Sequence, residues 1–399
     1  LLQAALRGNT VTVTVLAFVS ALVIGAVMIV VATPSSLGAW ATFFSNPLGA
    51  LSASVGAVGG AYGSLLSGAI GSPAAFGQAL SSGQLSDWSS ALAPLSETLV
   101  STTPLLFAGL GVAFAFRGGM FNIGGQGQVV LGAVFATWAG YSAPWLPGIL
   151  HVPLALACGA LGGALWGFVP GILKARTGAH EVITSMMLNY VALNLLTFLL
   201  TAAFFQAPPR TIAISREVAG TARLWLLPGL TLRVNLGIVL AVLAALAVAW
   251  MLQRSRLGFE IRMYGLNAEA ARAAGVAIAK VSVLGMTISG LLVGLGGATE
   301  VLGIDYQVSP NYGGQIGFTA ITVAILGRGS PLGVGLAALL YGAFTAGGRA
   351  MQVNTGIPSQ LIDVLEALIV LFVAAPGVIR TVYRIRLARG SERVFSGWA

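Results

Sequence analysis

Two long apolar runs, Leu236–Leu252 and Val281–Leu302, are separated by the stretch QRSRLGFEIRMYGLNAEAARAAGVAIAK, from Gln253 to Lys280. Arg254, Arg256, Arg262, Arg272 and Lys280 cannot sit in hydrocarbon, so the stretch has to be a watery loop between two membrane crossings. Its centre carries the marks of a short helix. Asn267 is placed as an N-cap whose side-chain oxygen accepts a backbone N–H. Glu269 falls in the first turn, where the helix dipole favours an acid, and Arg272 follows at pairing distance. Gly275 closes the helix in a left-handed conformation. Ala268, Ala270, Ala271, Ala273 and Ala274 leave the helix thin enough to enter a groove on another protein. A solvated connector is the alternative reading of the same composition.

The class of protein follows from the charge content. Of 399 residues 57% are hydrophobic and 8% charged, against about 25% charged in soluble domains. The chain is therefore an integral membrane protein, and its 54 glycines suit membrane helices that pack through small residues. The single cysteine, Cys158, excludes an internal disulfide and a cysteine-based metal site. The net charge of +9 does not point to nucleic acid, because the basic residues lie in loops beside apolar runs, where they set orientation.

Read in order, the chain begins with a first span over 10–33, too long for the core of a signal peptide. An outer segment over 34–93 is rich in Gly, Ser and Ala. A first half occupies 94–205 and a second half 235–377, with a basic tail over 378–399. The expected spans are Val11–Ala32, Leu99–Phe116, Val129–Tyr141, Pro153–Leu173, Met186–Phe205, Asn235–Met251, Val281–Leu302, Gln315–Leu326, Leu332–Gly347 and Ser359–Ala375. Gly159, Gly163 and Gly167 recur every four residues, and Gly290 and Gly294 share one face; both stripes are suited to close helix packing. With the N-terminus inside, Arg7, Arg117, Lys174, Arg176, Arg254, Arg256, Arg262, Arg272, Lys280, Arg328, Arg380, Arg384, Arg386, Arg389 and Arg393 fall on the cytoplasmic side. Arg210, Arg216, Arg223, Arg233 and Arg349 fall outside, and this excess predicts two cytoplasmic termini. The fold expected is all-α, with about ten transmembrane helices in two pseudo-repeated halves forming one transmembrane domain.

Polar residues interrupt the apolar pattern twice. Phe121–Ala133 and Asn311–Ala324 are each a glycine-rich break with amides before an apolar run, and paired interruptions are the best sequence pointer to a transport site. Phe121, Asn122, Gln126, Gln128, Asn189, Gln315, Phe318 and Thr319 are the candidate pathway residues. Polar groups within hydrocarbon need partners and therefore face other helices or a water-filled path. Amides and hydroxyls suit a neutral solute rich in hydroxyls or carrying a base, and interhelical hydrogen bonding is the competing role for each. No catalytic or metal constellation stands out. His151 is expected at an interface and His180 in a cytoplasmic loop.

Three segments, F121-N122-I123-G124-G125-Q126-G127-Q128, G178-A179-H180-E181-V182-I183-T184 with M187-L188-N189-Y190, and G265-L266-N267-A268-E269-A270-A271-R272-A273-A274-G275, resemble permease subunits of bacterial ABC importers. The nucleoside branch of the branched-chain amino-acid, ribose and nucleoside permeases is the nearest in pattern. The resemblance runs from about Pro94 to the last span. It implies import of nucleosides across the bacterial cytoplasmic membrane, with the first segment in the pathway. It also implies that Asn267, Glu269, Ala270, Ala271, Arg272, Ala274 and Gly275 contact an ATPase. The implied partners are an ATP-binding cassette subunit, a second permease subunit of the same or a different kind, and an extracytoplasmic solute-binding lipoprotein, all at the membrane lipid. Gln126 stands where the family commonly has Glu, and Ala268 where Pro is common.

The chain itself has no Walker A sequence, and neither Lys174 nor Lys280 follows a glycine. No cofactor is expected in it, and ATP and magnesium would belong to the partner ATPase. Two other readings stay open. One is an ion-coupled secondary transporter of a small polar solute, for which acids at mid-depth would be usual, whereas Glu300, Asp363 and Glu366 lie nearer the outer ends. The other is an ABC permease for ribose or another sugar.

Overall fold

The structure is a computed structural model that describes residues 10–227 and 232–383. Arg7 and the tail residues Arg384, Arg386, Arg389 and Arg393 lie outside the described residues. The described chain is helical throughout: α1 Thr10–Ala32, α2 Pro34–Ala41, α3 Pro47–Ile70, α4 Pro73–Ser82, α5 Leu85–Arg117, α6 Gly125–Ser142, α7 Gly148–Thr177 and α8 Glu181–Leu199 precede an irregular segment with one 3-10 turn, Gly220–Ala222. Then follow α9 Leu236–Arg254, α10 Arg256–Leu266, α11 Ala268–Ala273, α12 Ile278–Glu300 with a π turn at Val301–Asp305, α13 Ile316–Leu326, α14 Pro331–Thr355, α15 Gln360–Ala374 and α16 Pro376–Val382.

Among the described residues eight helices are long and apolar enough to cross a membrane, or nine if α15 and α16, bent by 87° at Ala375, make one span. The difference from the expected ten has particular causes. Helix α6, taken as a span, is 18 residues long and starts with two glutamines; all but four of its residues are buried in protein. A helix packed on all sides by its own chain need not be apolar enough for lipid. Helix α13 has 11 residues, too few to cross. In the other direction, α3 passes the length and apolarity test although 34–93 reads as an outer segment. Its Gly, Ala and Ser content dilutes the hydropathy, yet its start was written in the sequence: Asn46 caps it by accepting the Gly49 N–H at 2.9 Å, with Pro47 at the first helical position. Helix α5 begins at Leu85, well before the expected Leu99, with Pro94 and Pro104 inside it.

The chain divides into two compact units, residues up to Thr98 with those from Ala343 on, and Leu99–Gly342. In the first, α1 packs on α15, α16 and α3. Tyr62 donates to the Leu22 carbonyl at 2.6 Å, and Gly68 lies against Ala350 on α14.

In the second unit the dominant contact is α7 against α12, with α6 packed on both. The two glycine stripes read from the sequence mesh here. A Cβ added at Gly294 would lie 2.7 Å from Gly163 Cα, and one at Gly163 would collide with the Gly290 carbonyl. Without side chains at these positions the backbones approach closely, and association in lipid depends on that packing. The unit has two polar ends. One gathers Arg117, Gly178–His180, the α10–α11 segment and the turn at Arg328; there Arg117 Nε donates to the Gly329 carbonyl at 2.8 Å and Gly265 lies against Gly119. The other holds the irregular segment 200–227, whose backbone bonds to 302–308.

Candidate translocation site

The site is built from the two breaks, and each begins where a helix is made to stop. Helix α5 ends with Gly119 in the left-handed region (φ 62°) and Met120 N–H bonding back to Ala115 O at 3.1 Å, a closing geometry open to glycine. The chain then folds into Phe121–Gly124 and restarts as α6. Three amides hold this restart. Asn122 Nδ2 donates to Gln128 Oε1 at 2.8 Å and to Ser289 Oγ at 2.7 Å, and Ser289 Oγ passes its own proton to the Gly111 carbonyl at 2.7 Å. Asn122 Oδ1 accepts from Gly124 N–H and from Gln128 Nε2, each at 3.1 Å. Asn189 on α8 accepts the Gly127 N–H at 2.8 Å and donates to Ile123 O at 2.9 Å. Asn122, Gln128 and Asn189 are fully buried, so their polar atoms are met by protein, as burial requires.

The second break lies after the π turn. Tyr306 sits in the left-handed region (φ 58°) with the Arg223 guanidinium 4.3 Å above its ring, and Tyr312 is buried, donating its hydroxyl to Gly297 O at 3.2 Å. Helix α13 starts at Ile316, and the two restarts meet there. Gly125 and Gly317 touch backbone to backbone, leaving no space for a side chain at either. Gln126 Oε1 accepts the Gly317 N–H at 3.0 Å, and Gln126 Nε2 donates to Gly314 O at 3.1 Å and, more weakly, to Tyr312 O at 3.5 Å. One buried carboxamide thus meets donors and acceptors that a helix start leaves open. The two interrupted segments matched by pattern in the sequence are neighbours in space.

The eight candidate pathway residues divide in two. Asn122, Gln126, Gln128 and Asn189 face the protein, whereas Phe121, Gln315 and Phe318 are exposed and Thr319 is half-buried. The Phe121 ring lies 5.3 Å from Phe116 and is tilted against it. Ser289, Tyr312 and Glu181 were not singled out in the sequence as parts of this site. Glu181 is buried, and its carboxylate pairs with Lys174. The polar H180-E181 pair at the end of a basic loop was the available signal. His151, expected at an interface, is fully buried: Nε2 donates to Ala139 O at 3.0 Å, which leaves Nδ1 to accept from Thr221 Oγ1 at 2.9 Å. The irregular segment around Thr221 covers it.

At the charged end, α11 has the local structure read from its sequence. Asn267 Oδ1 accepts the Ala270 N–H at 3.0 Å, and Arg272 pairs with Glu269 at 3.0 Å. Gly275 (φ 83°) lets Val276 N–H bond back to Ala271 O at 3.0 Å. Ala271 is buried in its own chain, while Glu269, Ala270, Arg272, Ala274 and Gly275 are exposed, as are Ala273 and Leu266. The face turned to solvent therefore excludes Ala271 and includes Ala273. Ahead of it α10 was missed, though Ser255 caps it through the Gly258 N–H at 3.0 Å and Arg256 pairs with Glu260 at 2.8 Å.

A multi-pass membrane chain with two helix breaks meeting inside it has the make-up of a transport permease subunit. The family described as branched-chain amino acid transport system / permease component matches residues 95–374, and the chain belongs to it. The guanosine ABC transporter permease protein NupP of Bacillus subtilis (strain 168) is 40% identical over 72% of this chain and 83% of its own length. The nucleoside ABC transporter permease protein NupB of Lactococcus lactis subsp. cremoris is 36% identical over 71% of this chain and 80% of its own. The glucose ABC transporter permease protein TsgB13 of Haloferax volcanii is 33% identical over 75% and 81% respectively. No solved structure matches the chain.

Proposed function

We propose that the chain is the membrane permease of an ATP-driven importer that carries nucleosides across the bacterial cytoplasmic membrane. The observation that carries the reading is the set of uncharged side chains left exposed or half-buried at the two breaks. Phe121 and Phe318 offer apolar ring faces, and Gln315 and Thr319 offer neutral donors and acceptors. An aromatic face takes a nucleobase, and an amide serves both its donors and its acceptors. NupP and NupB, named for guanosine and nucleosides, agree with that choice. TsgB13, named for glucose, makes a sugar the competing solute.

The charged end of the second unit is the cytoplasmic side, because Arg117, Lys174, Arg176, Arg254, Arg256, Arg262, Arg272, Lys280 and Arg328 lie there and four arginines lie in 200–235. Eight spanning helices, with α3 left out and α15 joined to α16, keep both termini cytoplasmic, and the chain passes through the membrane twice more by way of the buried α6 and of the 306–326 segment that ends in α13. Helix α3 does not cross in this reading. Its first half meets α2, where Trp40 Nε1 donates to Ser54 Oγ at 2.9 Å. Its last turns reach Ala350 near the outer end of α14, and Ala69 O accepts from Thr98 at 2.6 Å. The exposed face of α11, with Leu266 beside it, enters a groove of a separate ATP-binding cassette subunit that holds ATP and magnesium. A second permease subunit and an extracytoplasmic solute-binding lipoprotein complete the importer, and residues 94–205 and 235–377 are the halves of one permease domain.

The test is uptake by proteoliposomes containing the permease, its ATPase and its binding protein. ATP inside should drive accumulation of labelled guanosine, with excess adenosine competing and excess glucose or ribose without effect. Uptake that persists without ATP when an ion gradient is imposed, or that glucose blocks, overturns the reading.

A further inference from the structure

The two breaks are fastened to opposite ends of the second unit. The first is held from the charged end, where Gly265, in the last turn of α10, packs against the backbone of Arg117 to Gly119, its Cα 3.1 Å from where a Cβ of residue 119 would stand. The second is held from the other end. Ser215 N–H donates to Val308 O at 2.9 Å, Val308 N–H to Ser215 Oγ at 2.8 Å, and Val218 N–H and Leu224 N–H to Tyr306 O and Leu302 O, each at 2.8 Å. Between these tethers stands Gln126, with one side-chain oxygen on the Gly317 N–H and one side-chain nitrogen on the Gly314 carbonyl. Its amide is buried, and its three bonds all run to the second break although its backbone belongs to the restart after the first.

We propose that the Gln126 carboxamide is a latch that makes the two breaks move as one, so that a shift imposed on α10 and α11 at the charged end reaches the 306–316 segment through it. Gln126 is on this account a positioning residue and does not bind solute. The inference rests on the transport reading above. Coupling between distant sites needs an element with two discrete arrangements that both sites bias. A hydrogen-bonded pair across a bare glycine contact is such an element, since it is either seated or parted.

The test uses the reconstituted complex in a Cys158→Ala background with Asn311→Cys, which puts a thiol on the exposed side of the second break. Its alkylation rate is read with and without a non-hydrolysable ATP analogue. The parent should change rate on nucleotide binding. Gln126→Met keeps the side chain's length without its hydrogen bonds. It should cut solute moved per ATP hydrolysed by about tenfold, the size of effect expected when a buried hydrogen-bonded contact is lost from one of two states. Its ATPase should still turn over, and its thiol should no longer respond. If Gln126→Met fails to assemble, Gln126→Asn, one methylene too short to reach Gly317, carries the same expectation. A nucleotide response and a transport-to-ATP ratio equal to the parent's in whichever variant assembles overturn the latch. A parent that neither transports on ATP nor responds to nucleotide instead overturns the transport reading, and the latch falls with it.

Discussion

The two breaks have the same outline, a glycine-rich interruption followed by a helix restart, but they use their polar side chains in opposite ways. In 118–124 and the first turn of α6 the amides turn inward: Asn122, Gln128 and Ser289 consume one another's hydrogen-bonding capacity, and Asn189 binds the Gly127 N–H and the Ile123 carbonyl. In 306–316 and the first turn of α13 the groups that meet the first break are backbone, Tyr312 turns its ring and hydroxyl inward, and the side chains of Gln315 and Phe318 face out. A break lined with satisfied side chains is fixed, because each bond parted leaves a buried group unmet. A break whose side chains are exposed can shift without that cost, and its faces are free for solute. Similar sequence patterns therefore make a frame in one place and an adjustable surface in the other, and substitutions should separate them.

The largest effect on stability should come from Asn122→Ala. It strands Gln128 and the Gly124 N–H in a buried site and leaves Ser289 with only its bond to Gly111, and an unmet buried group costs about 1–3 kcal/mol. Relaxation of Gln128 toward Ser289 would recover part of that, leaving a loss of about 3 kcal/mol. Thermal unfolding of the detergent-solubilised permease measures it. An unchanged midpoint would mean that the first break is not a frame. A smaller loss should follow Gly317→Ala, where a methyl collides with the Gln126 backbone; forcing bulk into such a contact costs about 1–3 kcal/mol. The joint is shared by both breaks, so this variant should lose stability and transport together.

Much of this arrangement was open to reading in the sequence, and the parts that were not share a cause. Local signals survived: Asn267 and Gly275 bound α11, the Gly159–Gly167 and Gly290–Gly294 stripes mesh, and the paired interruptions meet. Each depends on neighbours within a few residues or on one repeated spacing. Burial of α6 could not be read, because its glutamines look alike whether they face a pore or the protein. The orientation of Ala271 depends on where α11 sits against its own chain, which an alanine-rich helix does not encode in its pattern. Helix α3 was hidden by averaging: glycine and serine lower the hydropathy of a stretch whose Asn46-Pro47 start was plain. His151 was misplaced because the segment that covers it lies about seventy positions further along the chain, at Thr221.

The smallest effect on stability, and the sharpest contrast, should come from the exposed side of the second break. Gln315→Ala and Phe318→Ala remove side chains that face outward, and surface substitutions of this kind usually stay within about 0.5 kcal/mol. Transport should respond differently. A base stacked on the Phe318 ring would lose an interaction of about 1–3 kcal/mol per base, so Phe318→Ala should raise the KM for guanosine by about tenfold. Loss of binding shared by ground and transition states raises KM and leaves the maximal rate in place. Gln315→Ala should raise KM less, since an amide at an exposed position competes with water for the solute's polar edge. Initial rates of guanosine uptake across a range of external concentrations, beside unfolding midpoints for the same preparations, give both readings. If either variant unfolds as early as Asn122→Ala, the second break is a frame like the first and the contrast drawn between them collapses. If both keep parental midpoints and parental KM, the exposed side chains do not meet the solute, and the pathway has to lie elsewhere in the second unit.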